Sequence, residues 1–199
     1  MSARRLVVAS GNAAKARELR ELLAPSGWAV LSPREAALPA VGVVESGRSY
    51  LENATLKAVA YAHAAGLPAL ADDSGLEVDA LQGGPGVLSA RYGGLQLADR
   101  RRYERLLREL AGVPAVRRGA RFRAVLALAL PGGRVIAREG TLEGRIALTP
   151  RGADGFGYDP VFELPDGRTL AEAGAEKQRI SHRAIASRAM IEVLRTLDA

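Results

Sequence analysis

Residues 5–31 place the tightest constraint on what this chain can fold into. Arg5 to Ala9 reads as an apolar strand and Ser10-Gly11-Asn12 as a turn. Ala16, Leu19, Leu22 and Leu23 then share one stripe of a helix, which Pro25-Ser26-Gly27 ends. Trp28 to Leu31 returns as a second strand, completing a crossover unit. Further on, Arg121 to Leu130 and Arg134 to Glu139 flank Pro131-Gly132-Gly133 as a hairpin, and Thr141 to Leu148 is another strand-like run. Crossover and hairpin connections in one chain predict an α/β fold with a mixed sheet.

Ser49-Tyr50-Leu51-Glu52 is a capping box, in which the Ser49 hydroxyl accepts from the Glu52 N–H while the Glu52 side chain reaches back. The alanine-rich helix it opens runs to about Ala65 and stops at Gly66-Leu67-Pro68. Ala69 to Ala71 forms a strand ending in Asp72-Asp73-Ser74-Gly75. Side chains alternate along a strand, so the two carboxylates should point different ways, and Ser74-Gly75 should turn the chain sharply. Carboxylates at a strand end suit a hard cation and an attacking water, although the same four residues also make an ordinary turn. Gln82 to Gly86 and Gly152 to Pro160 are glycine-punctuated loops, and Ser181 caps a last helix carrying Ile185, Val193, Leu194 and Leu197.

With 199 residues, 48% apolar and 25% charged, the chain suits one globular domain, or one domain with two lobes. It has no cysteine, which excludes disulfides, thiolate metal sites and cysteine nucleophiles. The apolar run after Met1-Ser2-Ala3-Arg4-Arg5 is too short for a signal peptide or a membrane span. A cytoplasmic location and no membrane partner are expected.

The net charge of +6 raises a nucleic-acid reading, carried by Arg100-Arg101-Arg102, Arg105 and Arg108. These residues follow a helical pattern with Leu106, Leu107 and Leu110 on the other side and Glu104 four residues before Arg108, as on a solvated face. Aromatics are few and not interleaved with them, which argues against a base-stacking surface. Of 28 basic residues 25 are arginine, and Lys15, Lys57 and Lys177 are the only lysines. A rare lysine marks a place where a compact ammonium on a flexible stem is wanted, as at a phosphate.

Four constellations could carry chemistry. Ser10-Gly11-Asn12-Ala13-Ala14-Lys15 joins a strand to a helix N-terminus, where backbone N–H groups and Lys15 suit an anion. Glu45-Ser46-Gly47 precedes the capped helix that carries Asn53 and Lys57 one turn apart. Gly155-Phe156-Gly157-Tyr158-Asp159-Pro160 sets two aromatics and an aspartate in a glycine loop that could stack on a base and read its edge. Lys177 and Ser181-His182-Arg183 offer donors near a helix start.

In this order and at these separations the motifs resemble the inosine triphosphate pyrophosphatases. The matching stretches are residues 10–15, Glu45-Ser46-Gly47, 52–58, Ala71 to Leu76, 83–92, 155–162, Glu176-Lys177 and Ser181 to Arg183, nearly the whole chain. Ala14 stands where the family often has glycine, and 99–119 carries no signature. The resemblance implies an α/β fold with an elongated mixed sheet flanked by helices, two lobes and a central active-site cleft, in a single domain spanning 1–199. It also implies a homodimer and Mg²⁺-dependent cleavage between the α- and β-phosphates of inosine and xanthosine triphosphates and their deoxy forms.

By the same resemblance Ser10, Gly11, Asn12, Ala13, Ala14 and Lys15 hold the triphosphate, with Lys57 and Lys177 as further phosphate contacts. Asp73 is the general base and a metal ligand with Glu45, and Ser74 touches substrate. Phe156, Gly157, Tyr158, Asp159, Lys177, His182 and Arg183 form the nucleotide and base pocket. Donors from His182 and Arg183 suit the O6 acceptor of hypoxanthine and xanthine and leave adenine's amino group unmatched, a mismatch worth about 10⁴–10⁵ in selectivity. Asp72 either ligates the metal or supports Asp73. Two other readings are a pyrophosphatase for other modified bases and a nucleic-acid-binding module built on Arg100 to Arg108.

Overall fold

The computed structural model describes residues 4–197; the Met1-Ser2-Ala3 lead-in lies outside them. The strands are β1 Arg5–Val8, β2 Ala29–Leu31, β3 Ala69–Val78, β4 Gly119–Ala129, β5 Val135–Ile146 and β6 Phe162–Glu163. The α-helices are α1 Ala13–Leu23, α2 Tyr50–Ala65, α3 Asp99–Glu109, α4 Lys177–Ile180 and α5 His182–Thr196. One six-stranded sheet runs β2-β1-β3-β4-β5-β6. β1 pairs in parallel with both β2 and β3, whereas β5 and β6 are antiparallel. The sheet is mixed, as the crossover and hairpin signals require.

The chain divides into two compact units, with β3, β4 and β5 each passing from one to the other. The first holds the chain up to Asp73, Ala124–Gly140 and the segment from Arg183 onward. Its core joins Leu6 and Val8 of β1, Leu19 and Leu23 of α1, Leu70 of β3, Leu126 and Leu128 of β4, and Met190 and Leu194 of α5. Burying each such side chain fully stabilises the fold by roughly 1.5–3 kcal/mol, before entropy is set against it. The second unit holds Ser74–Arg123 and Thr141–His182. Leu76 and Val78 of β3, Leu106 and Leu110 near α3, Phe122 of β4, and Ile146, Tyr158 and Phe162 make its core.

Two boundaries differ from the sequence reading. β3 does not stop at Ala71 but continues through Asp72, Asp73, Ser74 and Gly75 to Val78, and Gly75 is not among the glycines with positive φ. The turn propensity of Ser74-Gly75 is overridden because Leu76 and Val78 find a core of their own further along the strand. Likewise 134–139 and 141–148 are not two strands: β5 is continuous from Val135 to Ile146, through Gly140.

Other signals match their positions. Asn12 caps α1, and Ser49 caps α2, accepting from the Glu52 N–H at 3.2 Å. The Glu52 carboxylate accepts from the Arg48 N–H at 2.6 Å, one residue before the cap. Gly66 ends α2 in the left-handed conformation, at φ 59°. On α3 Arg100 and Arg105 are laced to Glu104 and Glu109, so Glu104 accepts from Arg100 rather than Arg108. Arg102 departs from the solvated-face reading: it is buried, bridging Asp99 and the carbonyl of Tyr92.

Candidate active site

The two aspartates of β3 lie at the end of the first unit's share of the strand, and both are buried. Alternation sends them to opposite faces, as their adjacency predicts. Asp72 shares its face with Leu70, toward α1 and α5, and Asp73 faces α2.

On the α2 side, Asn53 and Lys57 stand four residues apart on one helix face, and both reach Asp73. Asn53 Nδ2 donates to Asp73 Oδ2 at 3.2 Å, and Lys57 Nζ donates to Oδ1 at 3.2 Å. Lys57 also donates to the Asp72 carbonyl at 2.8 Å and lies 3.3 Å from Glu45 Oε2. The loop carrying Glu45 is pinned in turn, because the Gly47 N–H donates to Asn53 Oδ1 at 2.8 Å. A Cβ at Gly47 would come within 2.6 Å of that same oxygen, so only glycine allows the loop so close. Burial raises the pKa of Asp73, and Lys57, Lys15 and the Asn53 hydrogen bond offset this only in part.

The other face is a chain of alternating charges. Lys15 Nζ is 2.8 Å from Asp72 Oδ2, the Arg183 guanidinium lies 3.4 Å from that oxygen, and Arg183 Nη1 donates to Glu18 Oε2 at 2.7 Å. Burial alone would raise the Asp72 pKa, yet Arg183 and Lys15 hold the carboxyl well below the usual range. The neighbours therefore differ in basicity as well as direction: Asp72 is locked as an anion, and Asp73 is the more basic carboxylate. Arg183, expected to donate to a base, is 2% exposed and directed at these two carboxylates. The reason is charge: a guanidinium this deep in the protein needs anions beside it.

At the start of α1, Asn12 Oδ1 accepts from the N–H groups of Ala14 and Lys15 at 3.0 and 3.1 Å, and Ser10 Oγ accepts from the Asn12 N–H at 3.2 Å. The cap thus engages two amides that the sequence reading offered to an anion.

In the second unit the aromatic loop is ordered by Asp159. Its Oδ2 accepts from the Phe156 N–H at 2.9 Å and from Lys177 Nζ at 2.6 Å. Gly155 adopts φ +83°, and a Cβ there would lie 2.1 Å from the Asp159 carboxylate. The Lys177 ammonium sits 4.6 Å from the Phe156 ring centroid, a cation–π contact. The two aromatics part company: Phe156 is half-buried, whereas Tyr158 belongs to the core and donates to the Ser89 carbonyl at 2.9 Å. The Tyr158 ring is therefore not offered to a base. His182 is buried too, its ring stacked on Phe122 at 4.8 Å with planes 11° apart.

The sequence reading missed one participant, Glu18, to which only the tertiary structure gives Arg183. Asn53 stands beside Lys57 in that reading without a role, and its hydrogen bond to Asp73 supplies one.

The profile of the Ham1 family matches residues 6–193. The chain belongs to the Ham1 family. It is 53% identical over 190 residues to a dITP/XTP pyrophosphatase of Thermus thermophilus, covering 94% of this chain and 90% of that protein. The dITP/XTP pyrophosphatase of Bacillus subtilis is 44% identical over 190 residues, covering 94% and 96%. A HAM1 protein from Coxiella burnetii superposes with a TM-score of 0.86 at 40% identity, covering 96% of this chain and 98% of that one. Within this Ham1 chain the matched span includes every group described above.

Whether a cation fits can be judged from the donors. Among the described residues no three His, Asp or Glu side chains gather at metal-ligand distances. Asp73 and Glu45 converge on one ammonium, however, so a positive centre already sits between two carboxylates. Two protein carboxylates, with substrate oxygens and water completing the shell, match how Mg²⁺ is commonly held. The donor set fits.

Proposed function

We propose that this protein hydrolyses the non-standard purine nucleoside triphosphates ITP, dITP, XTP and dXTP to the nucleoside monophosphate and pyrophosphate, clearing deaminated purines from the nucleotide pool. The observation that carries the chemistry is Asp73, a buried carboxylate of raised pKa oriented by Asn53 and Lys57, in a chain this similar to dITP/XTP pyrophosphatases. In this reading Asp73 accepts the proton of the attacking water, a step worth roughly 10²–10⁴ in rate. Asn53 fixes the carboxylate's orientation. Asp73 and Glu45 would hold Mg²⁺, which when bound would supply neutralisation of the phosphate oxygens. Asp72 is a positioning residue that holds Lys15, not a metal ligand.

Ser10 to Lys15 and Lys57 serve the triphosphate, and Ser74 contacts substrate. Phe156 offers its ring to the purine, and Gly157 and Asp159 of the same loop, with Lys177 of α4 and His182 of α5, complete the base pocket. Arg183 acts through Asp72 and Glu18. The chain works as one pyrophosphatase domain in the cytoplasm, as a homodimer; exposed Leu51, Leu56 and Val59 on α2 are apolar surface of the kind a partner subunit covers.

The test is a panel of inosine, xanthosine, adenosine and guanosine triphosphates, with and without Mg²⁺, scored by pyrophosphate release. Release confined to the inosine and xanthosine substrates and abolished by chelation is the expected outcome. Equal turnover of the adenine and guanine triphosphates would sink the assignment.

A further inference from the structure

The ammonium of Lys57 is surrounded by oxygens from three places: the Asp72 carbonyl at 2.8 Å, Asp73 Oδ1 at 3.2 Å and Glu45 Oε2 at 3.3 Å. Two of these belong to the carboxylates assigned above to the cation. A divalent ion seeks the same oxygens, and two cations packed against one carboxylate pair repel strongly. One member must give way. The Asp73 carboxylate is tied by the fully buried Asn53, itself tied to the Gly47 N–H, and cannot follow the metal elsewhere. Lys57 has a flexible four-carbon stem and a point charge without directional demands, so its head group is the part that moves.

We propose that Lys57 is an exchangeable counter-ion: its ammonium neutralises Asp73 and Glu45 until a divalent cation enters, and then swings out to meet phosphate oxygens. The inference rests on the reading of Asp73 and Glu45 as the cation's ligands. It has a thermodynamic consequence. Metal alone displaces the ammonium from two carboxylates and offers it nothing, whereas metal arriving with a triphosphate supplies a new anionic partner. Metal and nucleotide therefore bind with positive coupling, and Lys57 carries it. The empty enzyme would hold metal weakly, which guards the basic carboxylate against idle occupation.

Mn²⁺ binding to the full chain, followed by the electron paramagnetic resonance signal of the free ion, tests this without turnover. Without nucleotide, Lys57→Met is expected to bind Mn²⁺ at least about 10-fold more tightly than wild type, within the usual range of coupling. A non-hydrolysable α,β-imido inosine triphosphate should tighten wild-type Mn²⁺ binding by about 10-fold or more, and that of Lys57→Met far less. Unchanged or weaker Mn²⁺ binding in Lys57→Met overturns the exchange.

Asp73→Asn and Glu45→Gln separate the two levels: if both keep wild-type Mn²⁺ affinity, the metal reading itself fails. If both lose it while Lys57→Met matches wild type, only the exchange fails. Because the chain has three lysines, the wild-type protein gives a second measurement that does not depend on the variant folding. In ¹³Cε-lysine spectra, saturating Mg²⁺ should move the Lys57 resonance much further than that of Lys177. A stationary Lys57 resonance overturns the proposal.

Discussion

Asp72 and Asp73 are neighbours in sequence and opposites in environment. One face of β3 meets a buried series of alternating charges, Lys15, Asp72, Arg183 and Glu18, with a cation on each side of the aspartate. The other meets an amide, a single ammonium and an exposed-edge glutamate, and keeps a more basic carboxylate. The first face is closed: nearly every charge has its counter-charge within the protein. The second is open, with one exchangeable cation for two carboxylates. A closed network holds shape, and an open one can accept a proton or a metal.

The largest expected effect falls on the open face. Asp73→Asn should lower pyrophosphate release from inosine triphosphate by about 10²–10⁴ or more while nucleotide binding, measured by calorimetry, is largely kept. Near-normal turnover would erase the distinction between the faces. On the closed face Arg183→Met strands two buried carboxylates, and chemical denaturation should show a loss of about 3–5 kcal/mol. A loss much below this would mean that Glu18 and Asp72 readily find other partners.

Asn53→Ala should be milder, about 1–3 kcal/mol in stability, because it leaves a buried carboxylate oxygen and the Gly47 N–H unmatched. Its effect on kcat should exceed its effect on KM, since it disturbs the base and not the phosphate contacts.

The smallest effect, and the sharpest test of the contrast, is in pH. In chelated, metal-free buffer the two aspartates should show linkage of opposite sign. The folded pKa of Asp72 is lowered, so its stabilisation is present above the unfolded pKa, 3.8, and is lost as pH falls below it. The folded pKa of Asp73 is raised, so its contribution favours the fold below 3.8 and is lost as pH rises through the folded value. At neutral pH Asp72→Asn should therefore lower Tm and Asp73→Asn should raise it. Shifts of the same sign in both variants would break the comparison.

Much of this was legible in the sequence. The Asn12 and Ser49 caps, the Gly66 stop and the crossover unit are local signals, and each appears where its chemistry places it. The divergence of Asp72 and Asp73 follows from strand alternation alone. The scarcity of lysine proved informative in an unexpected way: Lys15, Lys57 and Lys177 each hold an aspartate, namely Asp72, Asp73 and Asp159. What failed were readings that asked local propensity to decide a long-range question. Ser74-Gly75 looks like a turn, and β3 runs through it because Leu76 and Val78 are buried by residues distant in sequence. Tyr158 looks like a partner for Phe156 until the core and the Ser89 carbonyl claim it.

The sequence by itself determined where the caps, the helix stop and the crossover unit fall, because caps, periodicity and alternation act over a few residues, and its motifs carry the family resemblance that singles out Asp73 as the candidate base. The tertiary structure alone decided which carboxylate is locked and which is left basic. That difference is made by Arg183 and Lys15, residues far from β3 in sequence that flank Asp72, and by burial at Asp73, which Lys57, Lys15 and Asn53 offset only in part. In a low-dielectric interior a charge's state is set by its nearest neighbours in space, and the chain must fold before those neighbours exist.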